Sequence, residues 1–336
     1  MAAPQVTAVR APVSPFSLAQ QITLPRLLKT LARPNPQSPI PSPQFPIFHS
    51  TYYLMPYRPG LPTVLTIYDL IAMLYPDTVS PRARILFRLT TQLALRAANE
   101  IVTISAATRR DLLAHFPVDA DRVTAVPLAA DPHFTPQPEA AVDAVRRKYA
   151  LPQRFIFYLG INKPHKNLVR LIDAYARLTQ SPAAGHQAPI PDLVIAGAWD
   201  ERYPEAQQRA ETLNLGDRVR FLGRVGDVDL PALYTACTLF VFPSVYEGFG
   251  LPVLEAMACG APVACGDASS LPEAAGEAAL LFDPRDGEAI TDALRRTLED
   301  EPLRRTLADR SLRQARRFSW QRTAAETLSC YREIGV

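Results

Sequence analysis

The feature that most constrains this chain is a repeated alternation of short apolar, β-branched runs with amphipathic helical stretches. Thr63–Ile67 (TVLTI) reads as a buried strand. Residues 81–99 have helical periodicity through Ile85, Leu89, Leu93 and Ala97. Residues 100–104 and 123–126 are again strand-like, and between them Ser105 caps a helix over Ala106–His115. The pattern restarts at 154–159 (RFIFYL) and runs through strands at 193–196, 219–222, 239–242 and 261–264, with helices at 167–178, 205–214, 229–236 and 252–259 and two more from Gly287 onward. Such alternation predicts an α/β protein built from parallel sheets covered by helices. Two such units facing a cleft are expected, with ligands at the carboxyl ends of their strands.

The 336 residues suffice for two domains, and a composition 48% hydrophobic and 21% charged excludes wholesale disorder. The longest uncharged stretch, 230–246, is broken by Thr235, Thr238, Pro243 and Ser244, so a spanning helix is not expected. Prolines near the amino terminus argue against a signal peptide, and a cytoplasmic location follows as the expectation. Cys237, Cys259, Cys265 and Cys330 form no Cys-x-x-Cys pair, which predicts buried, reduced thiols rather than a zinc site or a disulfide framework. Arg10, Arg26, Lys29, Arg33 and Arg58 all precede the first acidic residue, Asp69. That basic, proline-punctuated lead-in reads as a solvated, partly irregular segment, or as one that touches anionic lipid at the inner face of a membrane. Residues 17–33 are expected to hold a helix interrupted at Pro25, and residues 35–46 a proline-rich loop.

Two loops carry the chemistry. In the first, the apolar run Leu239–Phe242 is followed by Ser244-Val-Tyr-Glu247-Gly-Phe-Gly250-Leu-Pro252 and then a helix. Gly248 and Gly250 let backbone N–H groups approach a ligand, Pro252 suits the first helical turn, and the helix N-terminus adds roughly half a positive charge. This is an anion site fit for a diphosphate. A carboxylate beside it needs another task. Glu255 can accept two hydrogen bonds from a ribose diol, and Glu247 can hold sugar hydroxyls or stabilise cationic character at an anomeric carbon. The plainer alternative makes Glu255 a helix-start charge and Glu247 a loop residue. In the second loop, Tyr158-Leu-Gly160-Ile-Asn162-Lys163-Pro-His165-Lys166-Asn167 holds two of only four lysines in the chain. Lys166, and with it Lys163, suits a phosphate that gains charge as it leaves, although Lys163 reads equally well as a solvated loop lysine. The pairs Asp119/Asp121 and Asp227/Asp229 resemble a metal-binding Asp-x-Asp only superficially. The first lies in a turn, Asp229 is a natural N-cap, and no metal site is expected. No strand is followed by Gly-x-Gly-x-x-Gly, which disfavours a nicotinamide dehydrogenase.

On these residues the chain resembles the retaining glycosyltransferases of family four, of the GT-B fold, and most of all the mannosyltransferase-like group of bacterial surface-polysaccharide synthesis. The likeness rests on GINKPHKNL at 160–168, VRFLGRV at 219–225, the stretch 230–265 with its Glu-x7-Glu spacing, and SSLPEAAGEAALLFDP at 269–284. It extends into the first half through FHSTYYLMP at 48–56, TIYDL at 66–70, SAATRRDL at 105–112 and PLAADPHF at 127–134.

The resemblance implies transfer of a hexosyl group, of mannose or glucose type, from a UDP- or GDP-linked sugar to a saccharide or lipid-linked acceptor, with retention. Glu247 and Lys166 would be catalytic. Lys166 would bind the diphosphate, Glu255 the ribose and Glu247 the donor sugar; the backbone of Phe249, Gly250 and Leu251 would face sugar and phosphate. Arg224 and Val225 would meet the base, and Gly160, Asn162, Lys163 and Gly248 would complete the donor site. The leaving phosphate itself would take the acceptor's proton, so that neither metal nor cofactor is required, and no nucleic acid is involved. His49, Tyr68 and Asp69 are the acceptor-side candidates. Two departures stand out: Tyr68 occupies a position where the family usually has His, and Ile161 one where relatives often have Arg.

The implied division is an amino-terminal domain over 1–134, a linker over 135–153, a nucleotide-sugar domain over 154–316, and a helix over 317–336 packing back on the first domain. The family's opening strand, glycine-rich loop and long helix have no counterpart, so the first domain is expected to be incomplete. Either the chain is then a fragment of a longer protein, or another chain or an oligomer supplies the cover; the alternative function is a nucleotide-sugar-binding protein with little or no turnover because that domain is incomplete.

Overall fold

The structure, a computed structural model, describes residues 9–11, 13–14, 17–32, 46–180 and 189–335. The proline-rich loop expected at 35–46 lies outside them, apart from Pro46. The chain divides into two compact units, one of Met1–Val126 with Ala324–Val336, the other of Pro127–Thr323.

In the first unit, helix α1 (Gln20–Leu31) runs as one element through Pro25, not interrupted there as the sequence suggests; a proline forfeits a single hydrogen bond within the helix. Gln21 fastens its start, donating to the Met55 carbonyl and accepting from the Tyr57 amide. Strands β1 (Phe48–Ser50), β2 (Thr63–Ile67), β3 (Glu100–Thr103) and β4 (Val123–Ala125) form a parallel sheet in the order β1-β2-β3-β4. All five residues of β2 are buried, as a strand covered on both faces requires. The crossover from β2 to β3 passes through α2 (Ile71–Leu74) and α3 (Pro81–Ala97), and that from β3 to β4 through α4 (Ala106–His115). Ser80 and Ser105 cap α3 and α4, each accepting from the amide three residues on.

The packing face of α3 is Phe87, Thr90, Thr91, Ala94 and Leu95. The periodic residues Ile85, Leu89 and Leu93, from which the helix is predicted, lie on its outer side. Both faces are apolar enough to carry a 3.6-residue signal, and periodicity does not say which of two faces is inward.

The second unit starts at Pro127, ahead of the stretch the sequence suggests as a linker. Helix α5 (Glu139–Lys148) buries Val142 and Val145 in the same core as Phe134, Leu151 and the strands that follow, so 135–153 is part of the unit. Strands β5 (Phe155–Leu159), β6 (Asp192–Ala196), β7 (Val219–Gly223), β8 (Leu239–Phe242), β9 (Val263–Gly266) and β10 (Ala279–Phe282) form a parallel sheet ordered β10-β9-β8-β5-β6-β7. The helices are α6 (Leu168–Gln180), α7 (Glu205–Thr212), α8 (Leu230–Ala236), α9 (Leu251–Ala258), α10 (Leu271–Ala275), α11 (Gly287–Glu299), α12 (Glu301–Ala315) and α13 (Trp320–Gly335). From β5 the chain winds outward through β6 and β7, then returns to β8 on the other side of β5 and winds the opposite way. The reversal makes the β5/β8 junction a topological switch point.

From Ala324 on, α13 belongs to the first unit, where Cys330 is buried with Val64, Val102 and Val126. All four cysteines are buried and unpaired. Among the described residues no helix is long and apolar enough to cross a membrane.

Candidate active site

The two loops singled out in the sequence follow β5 and β8, the strands on either side of the switch point. Side chains some eighty positions apart in sequence therefore meet. The Lys166 ammonium donates to both carboxylate oxygens of Glu247, at 2.7 and 2.9 Å. Their side chains are only 14% and 10% exposed, so this is a nearly desolvated ion pair. The Lys166 Nζ also stands 5.3 Å from the centre of the Phe242 ring, a cation–π contact on the floor of the site.

Local structure holds both partners. Pro164–Lys166 is a single 3₁₀ turn closed by Asn167 in the left-handed region (φ 62°). The Asn167 amide donates to the carbonyls of Pro243 and Pro284, and the Val245 amide donates to the His165 carbonyl. The lysine loop is thereby tied to the glutamate loop by backbone and amide bonds. On the other side, the Ser269 and Ser270 hydroxyls donate to the Glu247 carbonyl at 2.7 and 2.9 Å. Neighbouring ammonium charge and, first of all, burial push His165 down to about 3, so its imidazole is neutral and adds no cation of its own.

Gly250 ends the glutamate loop at φ 99° and opens α9 without any side-chain cap. A Cβ there would lie 2.8 Å from Leu271 Cδ2. The helix start thus carries its N-terminal dipole with no side chain set against it, and Pro252 stands in the first turn. The Phe249 side chain turns inward against Phe318, leaving its backbone to line the loop.

Glu255 sits one turn into α9 and accepts from the Tyr234 hydroxyl at 3.0 Å. Burial raises its carboxyl above the usual range, opposed by the Tyr234 hydrogen bond and the nearby His133. A group held above its ordinary pKa favours the folded state at low pH, and that contribution is lost as pH rises through the raised value. We predict that Glu255→Gln raises the Tm by about 1–3 °C at pH 8 and not at pH 4, read by thermal denaturation. An equal gain at both pH values would sink this reading of the site.

The other candidates divide clearly. Lys163 is half-buried near Asp200. The Asn162 amide is spent on the neighbouring loop: it donates to the carbonyls of Asp200 and Tyr203 and accepts from the Asp200 amide. Its role here is to tie loops together. Gly160 packs with the Tyr158 hydroxyl 2.6 Å from where its Cβ would be. Arg224 is exposed and Val225 half-buried, just past β7. Beside them is a cavity of about 350 Å³ that the sequence reading missed, lined by Gly160, Gly197, Trp199, Phe221 and Gly223 among others. The signal for it is a glycine at or just after the end of three adjacent strands, which keeps their carboxyl ends open.

In the first unit, both ring nitrogens of His49 are engaged, by Tyr331 (2.6 Å) and Thr66 (2.8 Å), and burial lowers its pKa. Tyr68 is exposed, and Asp69 accepts from the Ile71 amide. Asp229 does not cap α8 through its side chain as expected. It accepts from Lys148 and Tyr149 instead, which anchors α5. Among the described residues no three His, Cys, Asp or Glu side chains gather as a metal site would need.

Residues 142–314 match the family model of glycosyl transferases group 1, and residues 3–134 that of Glycosyltransferase Family 4. The chain belongs to the group 1 glycosyltransferases. This glycosyltransferase is 33% identical over 290 residues to the O-antigen chain mannosyltransferase B of Escherichia coli, an alignment covering 85% of this chain and 74% of that one. It is 34% identical over 267 residues to the serotype-specific mannosyltransferase WbdA of Escherichia coli, covering 78% of this chain but 32% of that longer protein. Among solved structures, Anabaena Alr3699/HepE in complex with UDP and glucose superimposes with a TM-score of 0.74 at 21% identity, over 94% of this chain and 83% of that one. Sucrose-phosphate synthase from Thermosynechococcus elongatus does so with a TM-score of 0.69 at 25% identity, over 86% and 73%. The glycosyltransferase has the GT-B fold of these neighbours, with two parallel-sheet α/β domains.

Proposed function

We propose that this glycosyltransferase moves a hexosyl group, of the mannose type, from a nucleoside diphosphate sugar to a saccharide or lipid-linked acceptor, with retention at the anomeric carbon. The observation that carries the reading is the Lys166–Glu247 pair at the switch point, beside the uncapped start of α9. The diphosphate takes Glu247's place on the Lys166 ammonium and sits against the α9 N-terminus, which together offset the charge that develops on the leaving group. Glu247, released, turns to the donor sugar's hydroxyls and the cationic anomeric carbon. Glu255 accepts from the ribose diol, and the base lies towards Arg224 and Val225. The bond from the anomeric carbon to the phosphate oxygen breaks, the acceptor oxygen bonds on the same face, and its proton passes to the leaving phosphate. The relatives named as mannosyltransferases, one of them of the O-antigen chain, support mannose as the sugar.

The test is a calorimetric titration of the folded protein with UDP and GDP, followed by incubation with GDP-mannose and a mannoside acceptor and an NMR assignment of the product's anomeric configuration. Binding of neither nucleotide would end the proposal. Nucleotide binding without any new glycosidic bond would leave only a binding protein, and an inverted product would refute retention.

A further inference from the structure

Four large apolar side chains stand out from one helix of the first unit. On α3, Ile85, Leu86, Leu89 and Leu93 are 62%, 59%, 55% and 43% exposed. Ile85, Leu89 and Leu93 follow one another at i, i+4 and i+8 and so form a single ridge, with Leu86 next to it. The opposite side of the helix is the one packed on the sheet. The charges of α3 are all of one sign: Arg82, Arg84, Arg88 and Arg96, with no acidic residue in the helix. Arg84 and Arg88, with Met73, Pro76, Pro81 and Ile85, line a cavity of about 330 Å³ at the start of α3.

We propose that the outer face of α3 docks on an anionic lipid bilayer. The apolar ridge enters the headgroup–acyl boundary while the arginine stems let the guanidinium groups reach lipid phosphates. A ridge of four side chains on one helix is far smaller than the roughly 800 Å² per partner of a stable protein interface, whereas shallow insertion needs only such a ridge. A second copy seated on the same face would set arginines against arginines with no acid from either helix between them. The proposal goes beyond sugar transfer and does not rest on it.

The test is co-sedimentation of the full chain with vesicles of phosphatidylcholine alone or with about 30% phosphatidylglycerol. We expect binding only to the anionic vesicles, lost at about 0.5 M salt. Arg84→Gln with Arg88→Gln should weaken it roughly 25-fold, at about fivefold per arginine, and Leu86→Gln with Leu89→Gln at least about tenfold. All four positions are exposed, so unchanged circular dichroism and nucleotide binding should accompany the loss. Val228→Gln, at an exposed site of the second unit, should bind vesicles as the parent does. Absence of binding, or variants that bind like the parent, would overturn the proposal. So would a dimer in sedimentation that Leu86→Gln with Leu89→Gln dissolves, since that assigns the face to a second copy.

Discussion

Glu247→Gln is expected to lower sugar transfer by about 10²–10³-fold while tightening the binding of UDP or GDP. Without ligand, the Lys166 ammonium is held by both Glu247 oxygens in a nearly dry setting. An incoming diphosphate must displace that carboxylate before it gains the lysine. A glutamine cannot compete in the same way, so the ammonium is available at once. Hydrogen bonds to charged groups contribute about 1.5–3 kcal/mol, of which the diphosphate recovers a share; a three- to tenfold gain in affinity is the expected size. Lys166→Met should do the reverse and weaken both nucleotide binding and transfer. The variants also differ in stability. Leaving a buried charge without its partner costs about 3–5 kcal/mol, so Glu247→Gln should melt earlier than the parent when empty and gain more from added nucleotide. Calorimetry and thermal shift with GDP read all of this. If Glu247→Gln weakens GDP as much as Lys166→Met does, the exchange of partners on Lys166 is wrong.

The second large effect is structural. Gly197→Ala is predicted to destabilise the second unit by about 4 kcal/mol or more, lowering its Tm by roughly 10 °C. Gly197 has φ 133°, and a Cβ on it would lie 2.2 Å from the Gly160 carbonyl oxygen. Backbone, not a yielding side chain, is in the way. Gly216→Ala is the internal comparison, because its φ is 50° and nothing lies within 4 Å of the added carbon. It should cost only about 1 kcal/mol, the ordinary cost of a left-handed alanine. Equal melting of the two variants would show that β5 and β6 do not close as tightly as described.

Much of this is legible in the sequence, for identifiable reasons. TVLTI at 63–67 and LFVF at 239–242 are strands of sheets covered on both faces, so their apolar runs are continuous and bounded by turns. The glutamate loop is readable because glycines, a proline and a strand stand in register. Other features depend on tertiary partners. Ala279–Phe282 is an edge strand, half-buried at three of its four residues and too weakly patterned to declare itself before β9 lies beside it. Phe48–Ser50 is shorter still. Asn162 looks like a donor contact because it shares a loop with Lys166, and only the fold shows its amide turned to residues 200 and 203. The contact between Lys166 and Glu247 is invisible in one dimension, since it exists only through the strand order that sets β8 beside β5.

The last helix has a consequence for how the protein is made. The patch of Val64, Val102 and Val126 is sealed by Cys330, and His49 is held from one side by Tyr331. The ribosome releases those closing side chains only after it has finished every strand of the larger sheet. The half that emerges first is therefore completed last, and until then its apolar patch is open to other chains.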